Sequence, residues 1–541
     1  MRLARVQVAN YVRLQDVDIE VRHHLVLIGA NDVGKTSLLR AVQAVLGLGV
    51  GQLYQTYGPS DLRDADQPLV VEVVLEEFTA QEKTLFHREI DVSPDGRRET
   101  LTVRLEVTLA EDPEQVEVRR WFPGRGDDRP PSREQMEAFG WRYLPATRGT
   151  GNAQLDGPAS AMRALLDSID LGAERGELAA MLADFNAKLG SSMTLTKLRE
   201  DVAEHLSRAM PRQIGADDLA VRSVADPTAS VLGNVAMFLQ RDEAFVALTD
   251  QSDGMRQLMS MTLFLLAQGA ANVIAIDEPE LHLHPTSQRT AANLFAGAQN
   301  QLLLVTHSPF VMERFEPSQV VAISPQGRAR QLHASALTSI DKLRARWWSS
   351  RLLEALSARS VVLVEGVADR YIVESVGRAL GIGLDRLGCT VFDIDGADKF
   401  PKLFNFLGPK GFDVELFGLV DDDAKNKWTG AFGGNPANVL GSRIWVCDPD
   451  LEGEYCTALG GPAVARILID AGVCKEVDLL KSAGVSAIGD IAAEKAADFC
   501  RQSRNKTEAA LAVAGALTAA EAASITSVAD MLRAVAARSQ T

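Results

Sequence analysis

The chain is 541 residues long, 46% hydrophobic and 24% charged, with a mean hydropathy of −0.02 and a net charge of −16. That length exceeds a single hydrophobic core and predicts three or four domains of ordinary soluble composition; no apolar run approaches the roughly 20 residues of a membrane span, so no membrane is expected as a partner. The acidic balance by itself argues against nucleic acid, although acids that serve as metal ligands and a local basic patch would remove that objection.

The start, MRLARVQVANYVRLQ, lacks the apolar stretch and cleavage site of a signal peptide. Cys389, Cys447, Cys456, Cys474 and Cys500 include no close pair, which excludes a zinc ribbon and fits a reduced, cytoplasmic protein. Alternation through RLARVQVANYV and the apolar run HLVLIGA predict the first strands. LVVEVVLEEF, LTVRLEVTLA and QVEVRRWF alternate at period two, split by turn formers such as SPDG, and predict an antiparallel meander. From Gly157 to Arg212 the period becomes helical, with Leu178, Met181, Leu182, Phe185 and Leu189 on one face and Leu198, Val202, His205 and Leu206 repeating it. Nothing in these helices carries chemistry, so a dimerisation arm is expected. NVIAI, QLLLV and VVAIS then alternate with helical stretches and predict a parallel α/β sheet. The basic stretch DKLRARWWSSR places Lys342, Arg344, Arg346 and Arg351 around Trp347 and Trp348; it reads as a nucleic-acid patch or as a solvated helix joining two domains. A second α/β series, SVVLVEG, TVFDIDG, FGLVDDD and RIWV, precedes an alanine-rich helical region from about residue 461.

GANDVGKT, residues 29–36, has the P-loop spacing and lies between the strand LVLI and the helix SLLRAVQAVL. Gly29 and Gly34 let backbone N–H groups, with Asn31 and Ser37 beside them, curl around phosphate. Lys35 is expected to reach the β- and γ-phosphates and Thr36 to bind Mg²⁺. In NVIAIDEPE, Asp277 ends an apolar strand where it can hold Mg²⁺, and Glu278 follows where it can polarise water. LLLVTHSPF ends another strand on His307, placed to sense the γ-phosphate. This order resembles the ABC-type ATPases of the RecF and SMC kind. The resemblance implies a signature loop supplied by a second protomer, here QSDGMRQL with Ser252 and Gly254 as contacts. That loop departs from the usual LSGGQ form, so rapid ATP turnover does not follow from it. Gln52 and Gln55 both remain candidates for the Q-loop glutamine.

Two strands deliver acids to one sheet edge. SVVLVEGVAD ends a strand on Glu365-Gly366, with Asp369 a turn later, and FGLVDDD ends another on Asp421, Asp422 and Asp423. Residues i and i+2 of a strand face the same way, so Asp421 and Asp423 are expected to project together and Asp422 away. The E-G…D-x-D pattern resembles the Toprim fold, in which such acids hold Mg²⁺ through oxygen ligands. None of the six tyrosines sits in an evident DNA-binding module of topoisomerase type, and the cysteine spacing excludes the zinc ribbon of a primase. Nuclease remains.

With the ATPase motifs, YLPATR, DPDLEGEY and RNKTEAAL, almost the whole length of the chain resembles the OLD (overcoming lysogenisation defect) nucleases of their second class. The resemblance implies two divalent ions, Mg²⁺ or Mn²⁺, held by Glu365, Asp369, Asp421, Asp423 and Glu452, with Glu454 competing for the place of Glu452, and Lys506 on the cleaved phosphate. It implies ATP with Mg²⁺ in the other half, a homodimer, duplex DNA as substrate, phage defence or DNA repair, and a UvrD-type helicase as a partner. The fold class is therefore α/β. An ABC/RecF-like P-loop ATPase domain (1–156 and 231–340) would be interrupted by a helical arm (157–230). A linker (341–358), a Toprim domain (359–460) and a C-terminal helical region (461–541) would follow. The rival readings are a RecF-like ATP-switched clamp with a non-catalytic Toprim module and, differing only in substrate, an RNA-processing nuclease.

Overall fold

The computed structural model describes residues 1–12, 14–124, 128–146, 171–200, 215, 217, 238–241, 244–247, 250, 252–267, 271–332, 350–433 and 435–539. The chain divides into two compact units: Met1–Tyr143, Asn272–Glu278 and Gln301–Thr541 form the first, and Leu144–Ala271 with Pro279–Asn300 the second.

The first unit opens with β1 (Arg2–Ala9), β2 (Val17–Glu20) and β3 (Leu25–Gly29), followed by helix α1 (Lys35–Leu46). β4 (Leu69–Glu76), β5 (Asp91–Val92), β6 (Glu99–Leu109), β7 (Val116–Trp121) and β8 (Trp141–Leu144) come next. β4 buries every second side chain, Leu69, Val71, Val73 and Leu75, because one face of an antiparallel sheet covers the core while the other meets water. That sheet runs β2-β1-β4-β6-β5 with β7 also on β6, and the expected meander is present.

In the second unit, helix α2 (Glu174–Ser191) contains Leu178, Met181, Leu182, Phe185 and Leu189 and buries none of them. Met181 and Phe185 on it are 67% and 52% exposed. A hairpin of β9 (Phe238–Arg241) and β10 (Ala244–Ala247), not anticipated from the sequence, precedes α3 (Asp253–Ala267) and α4 (Pro285–Ala296). Val202, His205 and Leu206 of the expected arm lie outside the described residues, as do Lys342, Arg344, Arg346, Trp347 and Trp348 of the basic stretch.

Back in the first unit, β11 (Val273–Asp277), β12 (Gln301–Val305), β13 (Val320–Ile323) and β14 (Ala329–Gln331) complete a sheet of order β14-β13-β3-β12-β11-β8. β3, β11, β12 and β13 run parallel to one another and are buried throughout, as strands covered on both faces must be, and β14 pairs antiparallel with β13. Helix α5 (Ser350–Ser357) then buries Leu352, Ala355 and Leu356 completely and packs on β3 and β13. Arg330 on β14 donates Nη1 to the Ala358 carbonyl at 3.2 Å. The stretch expected as a solvated linking helix, DKLRARWWSSR, falls almost wholly outside the described residues; α5 beyond it covers a sheet with apolar residues at one-turn spacing.

The Toprim part has four parallel strands, β15 (Ser360–Val364), β16 (Cys389–Asp393), β17 (Glu415–Asp421) and β18 (Ile444–Cys447), in the order β16-β15-β17-β18. Helix α6 (Val367–Ala379) follows β15. α7 (Leu451–Leu459), α8 (Ala493–Arg501), α9 (Lys506–Ala516) and α10 (Thr526–Ser539) belong to the expected C-terminal helical region or lead into it. They share one core with the sheet, including Val362, Ile372, Tyr455, Val513 and Leu532. The C-terminal helices are thus part of the Toprim body.

Candidate functional site

The loop between β3 and α1 is built for close approach of phosphate. Gly29 has φ +146°, and a Cβ there would lie 2.4 Å from the Ile323 carbonyl oxygen; Gly34 has φ +96°. Asn31 is exposed on the loop, whereas Lys35 and Ser37 are buried. Lys35 Nζ donates to the loop's own carbonyls, Gly29 at 3.2 Å and Ala30 at 2.6 Å, which holds a cation over the cradle. Thr36 Oγ1 donates to Asp277 Oδ1 at 3.2 Å. The hydroxyl and carboxylate that would share one Mg²⁺ are therefore already adjacent.

Burial raises the Asp277 carboxyl, with the neighbouring Glu278 adding to the rise and Thr36 opposing it. Glu278 takes φ 46° and donates its N–H to the Val305 carbonyl at 2.9 Å. His307 Nε2 stands 3.8 Å from Glu278 Oε1. Burial lowers the His307 imidazole, the Lys35 ammonium pushes the same way, and Glu278 opposes both.

Sequence reasoning missed Tyr143, whose hydroxyl donates to Asp277 Oδ2 at 3.4 Å, and Arg40, whose charge acts on both Asp277 and Tyr143. Tyr143 opens YLPATR, so the stretch was visible and the role was not. Gln52 accepts from Gly49 N–H at 3.0 Å and so caps its own short helix, and Gln55 is exposed. Ser252 and Gly254 belong to the second unit, where exposed Ser252 immediately precedes α3 and a Cβ on Gly254 would lie 3.1 Å from the His282 carbonyl.

At the carboxyl ends of the Toprim strands, where open α/β sheets receive ligands, the acids converge. Asp369, in the first turn of α6, accepts from Gly366 N–H at 2.8 Å. Glu365 Oε1 accepts from Asp421 N–H at 3.2 Å, and Asp421 Oδ1 accepts from Leu451 N–H at 3.1 Å. Burial, then repulsion from Glu365, Asp369 and Glu452, pushes Asp421 up to about 8. Burial also pushes Asp369 up to about 7, with Lys506 pulling down against Glu452 and Glu365. Glu365 is raised too, by burial first and by Asp423 and Glu452. Lys506 Nζ sits 3.0 Å from Glu452 Oε1. Burial works against its ammonium, yet Glu452, Asp369 and Asp421 outweigh burial and raise it.

The strand geometry expected for D-x-D is corrected. β17 ends at Asp421, and Asp422–Ala424 form a 3-10 turn. Asp422 pairs with Lys425 at 2.6 Å, and exposed Asp423 follows it on the turn.

Two further elements arm the site. Asp450 caps α7 by accepting from Gly453 N–H at 2.7 Å, and Arg501 on α8 grips it with Nε at 2.6 Å and Nη2 at 3.0 Å. This fixes Glu452 in the first turn of α7, pointing at Lys506, the first residue of α9. Glu454 is occupied elsewhere: it accepts from Ser527 N–H at 2.7 Å and from the Ser527 hydroxyl, at the start of α10. Arg501 carries no motif signal and was not foreseen.

Among the described residues no three His, Cys, Asp or Glu groups form a ready-made metal sphere. The donor set nonetheless fits a hard divalent ion: it is all carboxylate oxygen, and its raised carboxyls lack enough positive charge around them.

These elements define a P-loop ATPase joined on one chain to a Toprim domain. Residues 25–313 match the family described as "AAA domain, putative AbiEii toxin, Type IV TA system", and residues 356–423 match "Overcoming lysogenization defect protein-like, TOPRIM domain". The "OLD nuclease" of Thermus scotoductus is 24% identical over 459 residues, spanning 78% of this chain and 82% of that protein. "Endonuclease GajA" of Bacillus cereus is 20% identical over 548 residues, spanning 85% and 90%. The C-terminal region of the Burkholderia pseudomallei OLD protein aligns in structure with a TM-score of 0.28 and 22% identity, over 34% of this chain and 98% of that one. The chain belongs to the AAA-domain family and, with its Toprim half, is a member of the OLD family of ATPase–Toprim proteins. Domains of these two kinds use ATP and divalent metal. Among the described residues no helix is long and apolar enough to cross a membrane.

Proposed function

We propose that the protein is a metal-dependent DNA endonuclease of phage defence, hydrolysing phosphodiester bonds in duplex DNA under the control of its ATPase half. The observation that carries this reading is the convergence of Glu365, Asp369, Asp421 and Glu452 around Lys506 at one sheet edge. Two Mg²⁺ or Mn²⁺ ions bound there would activate water and steady the leaving oxygen. Glu365, Asp369, Asp421, Asp423 and Glu452 are their ligands in this reading. Lys506, whose Nζ lies 3.0 Å from Glu452 Oε1, would be the cation that steadies the scissile phosphate in this reading.

In the ATPase half, Gly29, Asn31, Gly34, Lys35 and Ser37 receive the nucleotide phosphates, and Thr36 and Asp277 hold its Mg²⁺. Glu278 orients water, and His307 reports on the γ-phosphate. Ser252 and Gly254 serve the nucleotide of a second protomer, and residues 157–230 form the dimerising arm, so the working unit is a homodimer or larger. A UvrD-type helicase is a partner to test for. The clamp reading gains nothing from this site, since a docking module has no use for buried acids that repel one another.

Plasmid cleavage tests the proposal. Supercoiled DNA incubated with the protein and Mg²⁺ or Mn²⁺ should be nicked or linearised, and EDTA or Glu365→Ala should abolish the product. Cleavage that survives both controls would reject it, and parallel RNA substrates would identify an RNA-processing enzyme.

A further inference from the structure

A cavity of about 370 Å³ opens at the C-terminal end of α1, remote from the phosphate-binding loop at its other end. Its volume lies in the lower range of small-molecule sites. The lining combines apolar Leu48, Val50, Pro131 and Met136 with Arg120 and Trp141.

Both polar residues are deeply placed, Arg120 being 8% exposed and Trp141 6%. Arg120 Nη1 donates to the carbonyls of Ala44, Val45 and Leu48 at 2.9, 3.2 and 2.7 Å. It thereby satisfies carbonyls that the end of α1 leaves without a partner. That capping role accounts for Nη1 and leaves Nε unexplained: among the described residues, neither the buried Arg120 Nε–H nor the buried Trp141 indole N–H has an acceptor. Buried donors left unpaired are rare in native proteins, and two of them border one cavity. Burial pulls the Arg120 guanidinium down to about 10, the mark of a cation withdrawn from water. Arg142 also lines the space, whereas the one acidic lining residue, Glu137, is engaged by Arg133 at 3.0 Å. Gly47 lets the indole lie this close, since a Cβ there would stand 2.4 Å from Trp141 Cδ1.

We propose that this cavity binds a small organic anion, its carboxylate or phosphate head accepting from Arg120 and Trp141 and its apolar or aromatic body resting on Leu48, Pro131 and Met136. The site is separate from the nucleotide cradle, because α1 alone puts about 18 Å of rigid helix between them.

The test uses full-length protein labelled with 5-fluorotryptophan, in which the Trp141 ¹⁹F resonance is assigned by its loss in Trp141→Phe. Benzoate should shift that resonance saturably with a millimolar Kd. Inorganic phosphate should shift it more weakly, and benzyl alcohol, the neutral counterpart, should leave it in place. Arg120→Lys keeps a charge and loses the Nε–H, and should weaken benzoate by about tenfold or more. Where Arg120→Lys unfolds α1, Met136→Trp fills the cavity with the cap intact and should abolish the saturable shift. Equal responses to benzoate and benzyl alcohol, no saturable shift with benzoate, or undiminished binding in Met136→Trp would each overturn the proposal.

Discussion

Replacing Asp421 by Asn in metal-free protein should make the chain more stable at high pH, the opposite of what loss of a structural carboxylate does. Its carboxyl is pushed from an ordinary 3.8 to about 8 by burial and by Glu365, Asp369 and Glu452. Below pH 4 the group is protonated in both folded and unfolded chains and costs nothing. Between about 4 and 8 the unfolded chain ionises while the folded site keeps its proton, so stability falls by roughly 1.4 kcal/mol per pH unit. Above 8 the whole penalty, about 6 kcal/mol, is present.

The neighbouring acids share the repulsion, so one substitution recovers part of it, about 3 kcal/mol at pH 8. Asn retains an oxygen for the Leu451 N–H bond, which isolates the effect of charge. At roughly 2–4 °C per kcal/mol for a unit of this size, thermal unfolding in EDTA should place the variant about 10 °C above wild type at pH 8. The two should nearly coincide at pH 5. Adding Mg²⁺ or Mn²⁺ should raise wild type and leave the variant largely unmoved. Parallel melting curves for the two proteins from pH 5 to 8 would refute the account of a repulsive acid cluster.

Lys35→Ala removes the cation over the phosphate cradle and should abolish ATP hydrolysis; steady-state phosphate release at the wild-type rate would reject the P-loop assignment. Lys506→Met deletes the ammonium that stands 3.0 Å from Glu452. DNA cleavage should fall by about 10²–10³ with ATP hydrolysis retained, and an equal loss of both activities would point to unfolding. Arg501→Leu frees Asp450 from a two-point grip and should destabilise the start of α7 by about 2 kcal/mol. Weaker divalent-metal binding by calorimetry is the expected signature, and unchanged affinity would deny Arg501 its positioning role. Removing residues 157–212 should convert dimers to monomers by light scattering, and dimers that persist would remove the arm from that role.

Much of the site was legible because its chemistry is written locally. A phosphate cradle needs glycines, a lysine and a hydroxyl at fixed spacing, and GANDVGKT supplies them in one turn. A parallel strand must be apolar until its end, so the first acid after SVVLV or FGLV stands at the sheet edge, as Glu365 and Asp421 do. Partners brought in from other elements were not legible. Arg501 meets Asp450 from 51 residues away, and Tyr143 meets Asp277 from 134 away, through contacts with no sequence period.

By itself the sequence determined the antiparallel meander, the two parallel α/β series, the phosphate loop, and which strand ends carry acids, because backbone periodicity and turn chemistry act over a few residues. Only the tertiary structure decided that Glu452 faces the site while Glu454 caps α10, although the two are separated by one glycine. It also decided that Asp423 arrives by a turn and that residues 350–357 cover a sheet. Each of these depends on which distant hydrogen-bond partner or apolar surface is free to accept the group, and chain collapse alone settles that.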